Sequence, residues 1–378
     1  MNKFRYNVRI KNTCIFCNGN LNILFSIPNM PMFMGSINNL DNTLLYSDMT
    51  YTICSKCNCV QIKELIDSNI LYQNNHNLDT VGELWQSHFI EFSNFVKNGI
   101  INKRVLEIAD PSCKIARYVS EYSKIWEIVE YNPNFDSTSK NVKFIETWFD
   151  SDFNQGIYDV IIHSHFFEHL FNPLNDLKKM NECLNIGGEM YFSVPNLEYI
   201  VENKFTPANA LHFEHTFFYK KNDLKSLLNL FGFEVNVIFE YRNHSIFFKC
   251  TKISNKIQSY DKFKFLDSSD NFILNYDISK DIINKFNSIK NKNKFIFGCH
   301  ISTQYLISIG VDINNIVYFL DNSKNKQNNF LYGYDVLVKS PNIISDYENP
   351  VVLVTHTSVY KNEISEQLKK INKNVILI

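Results

Sequence analysis

Glycine is scarce in this sequence, at 11 of 378 residues, and proline is rarer still at 9. We interpret this scarcity as a compositional bias rather than as a sign of function. It has one structural consequence, because loops that approach a ligand closely often need glycine. Some loops of that kind are therefore expected to carry other residues here.

Neither sign of charge is in excess, since 38 basic residues stand against 39 acidic ones. A basic excess would indicate a nucleic-acid partner, and its absence argues against one. There is also no run of about twenty apolar residues and no leader pattern at the N-terminus. We therefore expect a soluble cytoplasmic protein that does not associate with membranes, in an oligomeric state that the sequence leaves open.

The nine cysteines are too few and too scattered for a disulfide framework, and they fit a reducing compartment better. Four of them form two C-x2-C pairs: Cys14, Cys17, Cys54 and Cys57. Four thiolates make a closed tetrahedral site, so we predict structural zinc. The alternative is that these are small buried hydrophobic residues. Cys59 is either another ligand or such a buried residue.

The length predicts two or three domains. From residue 104, short apolar runs alternate with helical patterns, which indicates a parallel sheet. The strands predicted in this part are Arg104–Ile108, Trp126–Glu130, Val142–Ile145, Tyr158–His163, Glu189–Val194, Val235–Phe239 and Ser245–Cys250. Seven strands with a final antiparallel pair are typical of the class I, Rossmann-like methyltransferases. A helical pattern over 61–100 precedes them, and a polar connection over 252–290 leads to a second α/β unit.

Ligands of such sheets bind at the carboxyl ends of the strands. The first loop, from Ala109 through Asp110 to Cys113, lies where a cofactor would bind. Glu130 ends the second strand, where a carboxylate can accept both hydroxyls of a ribose, although acids also commonly cap strands. The fourth strand leads into a polar cluster of His163, His165, Glu168 and His169.

A second polar cluster, His212, Glu214 and His215, lies between aromatic residues in the segment 211–219. An imidazole oriented by a carboxylate is suited to proton transfer near neutral pH. The alternative is a surface loop whose histidines are incidental.

The order of these motifs resembles the C-methyltransferases that act on nucleotide-linked keto-deoxysugars in antibiotic and surface-polysaccharide pathways. The resemblance covers the whole chain. It is carried by CIFC with CSKC, GELWQSH (82–88), FEHTFFY (213–219) and FLDNSKNKQNNFLYGYDV (319–336). It implies a zinc-binding module over 1–70, a class I methyltransferase domain over 71–252 and a substrate-enclosing α/β domain over 253–378.

The resemblance also implies a mechanism and roles for individual residues. His215 matches the base that removes the proton beside a sugar ketone, and Glu214 matches the acid next to it. His169 matches a histidine that stabilises the enolate, and Tyr72 matches a tyrosine that reaches into the site. His212 stands where the family has another tyrosine. The cofactor implied is S-adenosylmethionine.

The sequence departs from the family in the first loop, which there has the form E-I-G-x-x-x-G. Here Ala109 and Cys113 replace the two glycines that follow Glu107 and Ile108. This departure leaves two alternatives open: a sugar epimerase that needs no cofactor, and a degenerate protein that only binds a nucleotide sugar. O-methylation of a sugar is also compatible with the motifs.

Overall fold

The computed structural model describes residues 8–40, 44–71, 83–131, 133, 140–290, 293–355 and 360–378. Tyr72, predicted above as a site residue, lies outside these ranges. None of the helices in the described ranges combines the length and the apolar character needed to cross a membrane.

The N-terminal part is a small antiparallel unit that carries both cysteine pairs. Its elements are β1 (Val8–Ile10), β2 (Leu21–Pro31), β3 (Ser36–Ile37), β4 (Tyr46–Cys54), β5 (Val60–Ile62), β6 (Glu64–Ile66) and α1 (Ser68–Leu71). Strands β2, β4 and β5 form one antiparallel sheet. The predicted helical pattern over 61–100 is therefore wrong at its start, because residues 60–62 pair with β4 instead of forming a helix.

The central part contains a single seven-stranded sheet. Its elements are α2 (Glu83–Val96), β7 (Arg104–Ile108), α3 (Ala116–Val119), β8 (Ile125–Val129), β9 (Val142–Ile145), β10 (Tyr158–Ser164), α4 (Pro173–Cys183), β11 (Leu184–Pro195), α5 (Leu197–Glu202), α6 (Lys221–Leu230), β12 (Phe233–Tyr241) and β13 (Ser245–Lys252). The strand order is β12-β13-β11-β10-β7-β8-β9, and β13 is antiparallel to both of its neighbours. This is the class I, Rossmann-like methyltransferase fold, as predicted.

The central strands are buried on both faces, which explains their continuous apolar sequences. One core packs between the sheet and helices α2 and α3, with Phe92 and Trp126 among its fully buried residues. A larger core lies on the other face and includes Phe192 and Leu177. Strands β7 and β10 are adjacent, and the helices that follow them, α3 and α4, pack on opposite faces of the sheet. The order of the strands therefore reverses between β7 and β10. A ligand crevice is expected at that point.

The C-terminal part is a second parallel α/β unit. Its elements are α7 (Ser269–Ser288), β14 (Lys294–Phe297), α8 (Ile301–Ser308), β15 (Ile316–Leu320), β16 (Phe330–Leu331), β17 (Val338–Lys339), β18 (Val351–Val354), α9 (Tyr360–Ile371) and β19 (Ile376–Leu377). The sheet order is β17-β15-β14-β18-β19. Strand β16 pairs with β3 of the N-terminal part, and Gln304 Nε2 donates to the Phe33 carbonyl at 2.8 Å.

Candidate active site

A cavity of about 790 Å³ opens at the carboxyl ends of the central strands, at the reversal between β7 and β10. The predicted site residues that line it are Glu107, Ala109, Asp110, Glu130, His165, His169, His212, Glu214 and His215. Residues of the N-terminal part, among them Arg9 and Met34, complete its wall. The fold therefore brings both predicted polar clusters to one place.

The loop after β7 has the backbone of a glycine loop without the glycines. Ala109 has φ 57° and Cys113 has φ 52°, so both adopt the left-handed conformation that glycine favours. A side chain in that conformation costs about 1–2 kcal/mol. The Asp110 carboxylate supports the loop by accepting hydrogen bonds from the amides of Ser112 at 3.1 Å and Ile115 at 3.3 Å.

The side chains of Glu107 and Cys113 contribute mainly to the stability of the fold. The Glu107 carboxylate accepts a hydrogen bond from Trp126 Nε1 at 2.7 Å, and burial raises its pKa. The Cys113 side chain is buried in the core behind the loop and does not line the cavity. The prediction that Cys113 contacts the cofactor is therefore corrected, because its left-handed backbone turns the thiol inward.

Glu130 follows β8 at the edge of the cavity, and its amide donates to the Ile145 carbonyl at 3.1 Å. The next residue, Tyr131, stacks on Trp148 with ring centroids 4.5 Å apart, and both rings line the cavity. Sequence reasoning missed this aromatic pair. The tyrosine directly after the strand-ending acid was the available signal.

His163 is a second correction. Its ring stacks on Phe192 at 4.9 Å in the core, and neither ring nitrogen has a hydrogen-bond partner among the described residues. Burial lowers the pKa of His163 to about 3. Successive strand residues face opposite sides of a sheet. His163 therefore packs against the β11 side chain beside it and is not among the residues that line the cavity.

Glu168 lies at the centre of the site; the sequence analysis placed it in the polar cluster after the fourth strand without assigning it a chemical role. It is fully buried, and Oε1 is 3.3 Å from His165 Nδ1 and 3.8 Å from His169 Nε2. Neither carboxylate oxygen has a hydrogen-bond partner among the described residues. A carboxylate oxygen of Glu168, a ring nitrogen of His169 and a ring nitrogen of His215 all lie within 4.8 Å of one another. A buried carboxylate in this state needs a cationic or proton-donating partner.

His215 is held in one tautomer. Its Nδ1 is 3.1 Å from the Ala210 carbonyl oxygen, which accepts only from a protonated Nδ1, so Nε2 carries the free electron pair. Burial lowers the pKa of His215, while Glu168 acts in the opposite direction. The ring is therefore neutral near pH 7 and able to accept a proton at Nε2.

His212 lies against His215, with ring centroids 4.1 Å apart. The Glu214 amide donates to His212 Nδ1 at 3.3 Å, so His212 carries its proton on Nε2 and is a donor there. Burial lowers the pKa of His169 to about 4, against the opposing effects of Glu168 and of a hydrogen bond that His169 donates to the Glu214 carbonyl. That hydrogen bond uses the one N–H of the neutral His169 ring. The cavity thus holds a neutral donor imidazole, His212, beside the acceptor nitrogen of His215.

The four cysteines also come together, away from this cavity. Sγ of Cys14 is 3.5 Å from Sγ of Cys57, Sγ of Cys17 is 3.3 Å from Sγ of Cys54, and none is in a disulfide. Each pair ends in a left-handed asparagine, Asn18 or Asn58.

The amides of Phe16 and Lys56 point at cysteine sulfurs, both at 3.4 Å. Four converging sulfurs with amide support fit a tetrahedral metal site. Cys59 is not one of the four converging cysteines; its thiol faces the Val60 carbonyl and also contacts the Cys14 side chain.

Residues 95–237 match the sequence model of a family described as a methyltransferase domain. This match agrees with the class I, Rossmann-like methyltransferase fold of the central part. No curated protein matches the chain.

Solved structures also match part of the chain. One is a candidate S-adenosylmethionine-dependent methyltransferase from Listeria monocytogenes, 14% identical, over 43% of this chain and 99% of that one, with a TM-score of 0.36. Another is the N-methyltransferase NodS from Bradyrhizobium japonicum WM9, which is 9% identical over 47% of this chain and 99% of its own, with a TM-score of 0.33. A third is magnesium protoporphyrin IX methyltransferase from Synechocystis PCC 6803 with bound SAM, which is 10% identical over 45% of this chain and 80% of its own, with a TM-score of 0.33. Identities this low say nothing about the methyl acceptor.

Proposed function

We propose that this protein transfers a methyl group from S-adenosylmethionine to carbon 3 of a nucleotide-linked 4-keto-deoxysugar. The observation that carries the proposal is the unprotonated Nε2 of His215 in the cavity of a class I methyltransferase sheet, beside Glu168 and His169. Transfer to carbon requires that a proton leave that carbon, and this site contains an oriented base for it.

The residues around the first loop fit the cofactor. Ala109 and Cys113 have the left-handed backbone that glycine adopts readily, so the loop can follow the path of a glycine loop. Glu130 would accept the ribose hydroxyls, and Tyr131 with Trp148 provides an aromatic surface next to it. When bound, S-adenosylmethionine supplies an electrophilic methyl group on a positively charged sulfur.

The protein's own residues account for the proton chemistry. His215 Nε2 takes the proton from carbon 3, whose acidity comes from the neighbouring ketone. The electron pair left behind makes an enolate, and its oxygen needs a hydrogen-bond donor. The resemblance gives that role to His169, but the one N–H of its neutral ring is donated to the Glu214 carbonyl. His212 carries its proton on Nε2 and lies against His215, with ring centroids 4.1 Å apart, and fills that role instead. The Glu168 carboxylate stabilises the imidazolium that forms on His215.

Two further assignments belong to this proposal. The four-cysteine group binds one structural zinc ion, because four thiolates close the coordination sphere and leave no position for chemistry. The sugar nucleotide occupies the part of the cavity bordered by Arg9 and Met34. A volume of about 790 Å³ is in the upper part of the usual range for small-molecule sites, which leaves room beside a cofactor.

The test is incubation of the purified protein with methyl-labelled S-adenosylmethionine and a nucleotide-linked 4-keto-deoxysugar. We expect label in the sugar and at least a hundredfold lower rate in His215→Ala, in line with the usual contribution of a general base of about 10²–10⁴. The matched control is His163→Phe, which alters a buried histidine outside the cavity.

Two results would count against the proposal. If His215→Ala transferred the methyl group at the wild-type rate, His215 could not be the base. Deuterium entering the sugar from solvent, with no cofactor present and no methylation, would favour the epimerase.

A further inference from the structure

Glu168, His169 and His215 come together at the wall of the cavity, and we call these three side chains the cavity triad. Two hydrogen bonds join their segments. The Thr216 amide donates to the Glu168 carbonyl at 2.9 Å, and the Thr216 hydroxyl donates to the Leu170 carbonyl at 2.8 Å. Backbone pairing therefore sets the spacing of the triad.

We infer that the cavity triad binds one divalent transition-metal ion such as zinc, and that the bound ion prevents His215 from acting as a base. The binding goes beyond the proposed function, whereas the loss of the base rests on it. The site is distinct from the four-cysteine group, none of whose members lines the cavity.

Both histidines have the arrangement that is usual for metal-binding imidazoles. Nδ1–H of His215 is donated to the Ala210 carbonyl, and the N–H of His169 is donated to the Glu214 carbonyl. Each neutral ring is left with an electron pair on its other nitrogen. In most histidine–metal sites an outer carbonyl or carboxylate holds the far nitrogen in this way and orients the ring.

Glu168 supplies the negative charge of the triad. Its side chain is fully buried, and neither oxygen has a hydrogen-bond partner among the described residues. Within the same ranges its ion-pair contacts are with His165 and His169, and burial lowers the pKa of both rings, so they are neutral near pH 7. A buried carboxylate without a cationic partner is unfavourable, and a divalent ion would provide that partner.

The set of ligands indicates the class of ion. Two imidazoles and one carboxylate are the ligands of several catalytic zinc sites and of non-haem iron sites, whereas magnesium and calcium prefer oxygen alone. Ligand atoms about 2.0–2.1 Å from zinc in a tetrahedron lie about 3.3–3.5 Å apart. Glu168 Oε1 and His169 Nε2 are already 3.8 Å apart, and all three ligand atoms lie within 4.8 Å, so side-chain movements on the order of 1 Å would close the site.

The ion and the proton compete for one electron pair. The Nε2 pair of His215 is the one that accepts a proton in the proposed reaction, and once it is bound to a metal it is no longer available. Binding of the ion also occupies the Glu168 carboxylate, which would otherwise stabilise the imidazolium form of His215. The metal-bound protein should therefore be inactive in methyl transfer until the ion is removed.

The binding test is calorimetric titration of the dialysed full-length protein with zinc chloride, without cofactor or sugar. We expect about one further zinc ion per chain to bind, beyond the ion of the cysteine group. Glu168→Gln, which keeps the shape of the side chain, and His215→Ala should each weaken this binding by about a hundredfold or more, since loss of even an outer partner costs about 10–100-fold.

His244→Phe is the matched control, because His244 also lines the cavity but belongs to a second histidine group with His88 and His165. It should bind the further ion as wild type does. The triad is overturned if wild type binds no further ion, if Glu168→Gln and His215→Ala bind it unchanged, or if His244→Phe alone loses it.

The effect on the base is tested with the methyl-transfer assay. Zinc should slow transfer over the same concentrations that fill the further site, and a chelator should restore the rate. Full activity with the further site filled would overturn the blocking of His215. Zinc binding that follows the expected pattern in a protein that transfers no methyl group when metal-free would support the site and count against the proposed function.

Discussion

His215 and Ala210 are joined by a 3.1 Å contact between Nδ1 and the backbone carbonyl oxygen. The contact spans five residues within one loop, so the loop itself selects the tautomer of the ring. Nε2 is left as the acceptor, in a cavity where burial keeps the imidazole neutral. The base is thus prepared before any substrate binds, which is the preorganisation expected of a catalytic group.

Glu168→Gln should weaken this base. The Glu168 carboxylate stabilises the imidazolium form of His215 and raises its pKa, whereas an amide cannot. We expect a lower kcat and a displacement of the acidic limb of the pH–rate profile toward lower pH, measured against wild type. An unmoved limb would mean that Glu168 carries no charge in the working enzyme.

The central sheet was predictable because its strands are short apolar runs between polar loops. Arg104–Ile108 and Val142–Ile145 have the predicted bounds. Helix α7 (Ser269–Ser288) was not predicted as a long helix. Its buried face includes Asn275 and Ser279, so the spacing of three and four does not show in the apolar residues alone.

The sequence predicted which two polar clusters lie near the cavity, but it did not predict the contacts between their side chains. The sequence shows where β10 ends but not which way each side chain faces, and His163 was therefore placed in the site wrongly. The closeness of Glu168 and His215 arises from backbone pairing between their segments, where the Thr216 amide donates to the Glu168 carbonyl at 2.9 Å. No local pattern reports a contact across such a separation.

Ala109→Gly should stabilise the protein. It relieves about 1–2 kcal/mol of left-handed strain, partly offset by about 0.4–1 kcal/mol of added freedom in the unfolded chain. A net gain of about 0.5–1 kcal/mol is expected in the free energy of unfolding by denaturant. Ala116→Gly, in helix α3, is the control and should lose about 1 kcal/mol. An equal loss of unfolding free energy in both variants would contradict the presence of backbone strain at Ala109.

His163→Phe should change how stability depends on pH. The folded protein keeps His163 neutral down to about pH 3, whereas the unfolded chain protonates it below about 6.5. Wild type therefore loses stability as pH falls through this window, by up to about 1.4 kcal/mol per pH unit for this one group. Unfolding curves of variant and wild type between pH 7.5 and 4.5 should diverge toward acid by about 2 kcal/mol. Parallel curves would show that His163 does not titrate in this way.

The cysteine group should hold about one zinc ion per chain, measured by elemental analysis after dialysis. Cys17→Ser should lose the metal and unfold more readily, because it removes one of the four converging sulfurs. Cys183→Ser is the control, because that buried free cysteine lies in helix α4 of the central part, outside the four-sulfur group. Equal metal loss in both variants would contradict the assignment of the ligands.

The most direct test of the central claim uses a nucleotide-linked 4-keto-deoxysugar that carries deuterium at carbon 3. After reaction with S-adenosylmethionine, mass spectrometry and NMR of the methylated product report whether that deuterium is still present. If His215 removes it before methyl transfer, the product gains a methyl group on carbon 3 and has lost the deuterium. A methylated product that keeps its deuterium would place the methyl group elsewhere and contradict C-methylation.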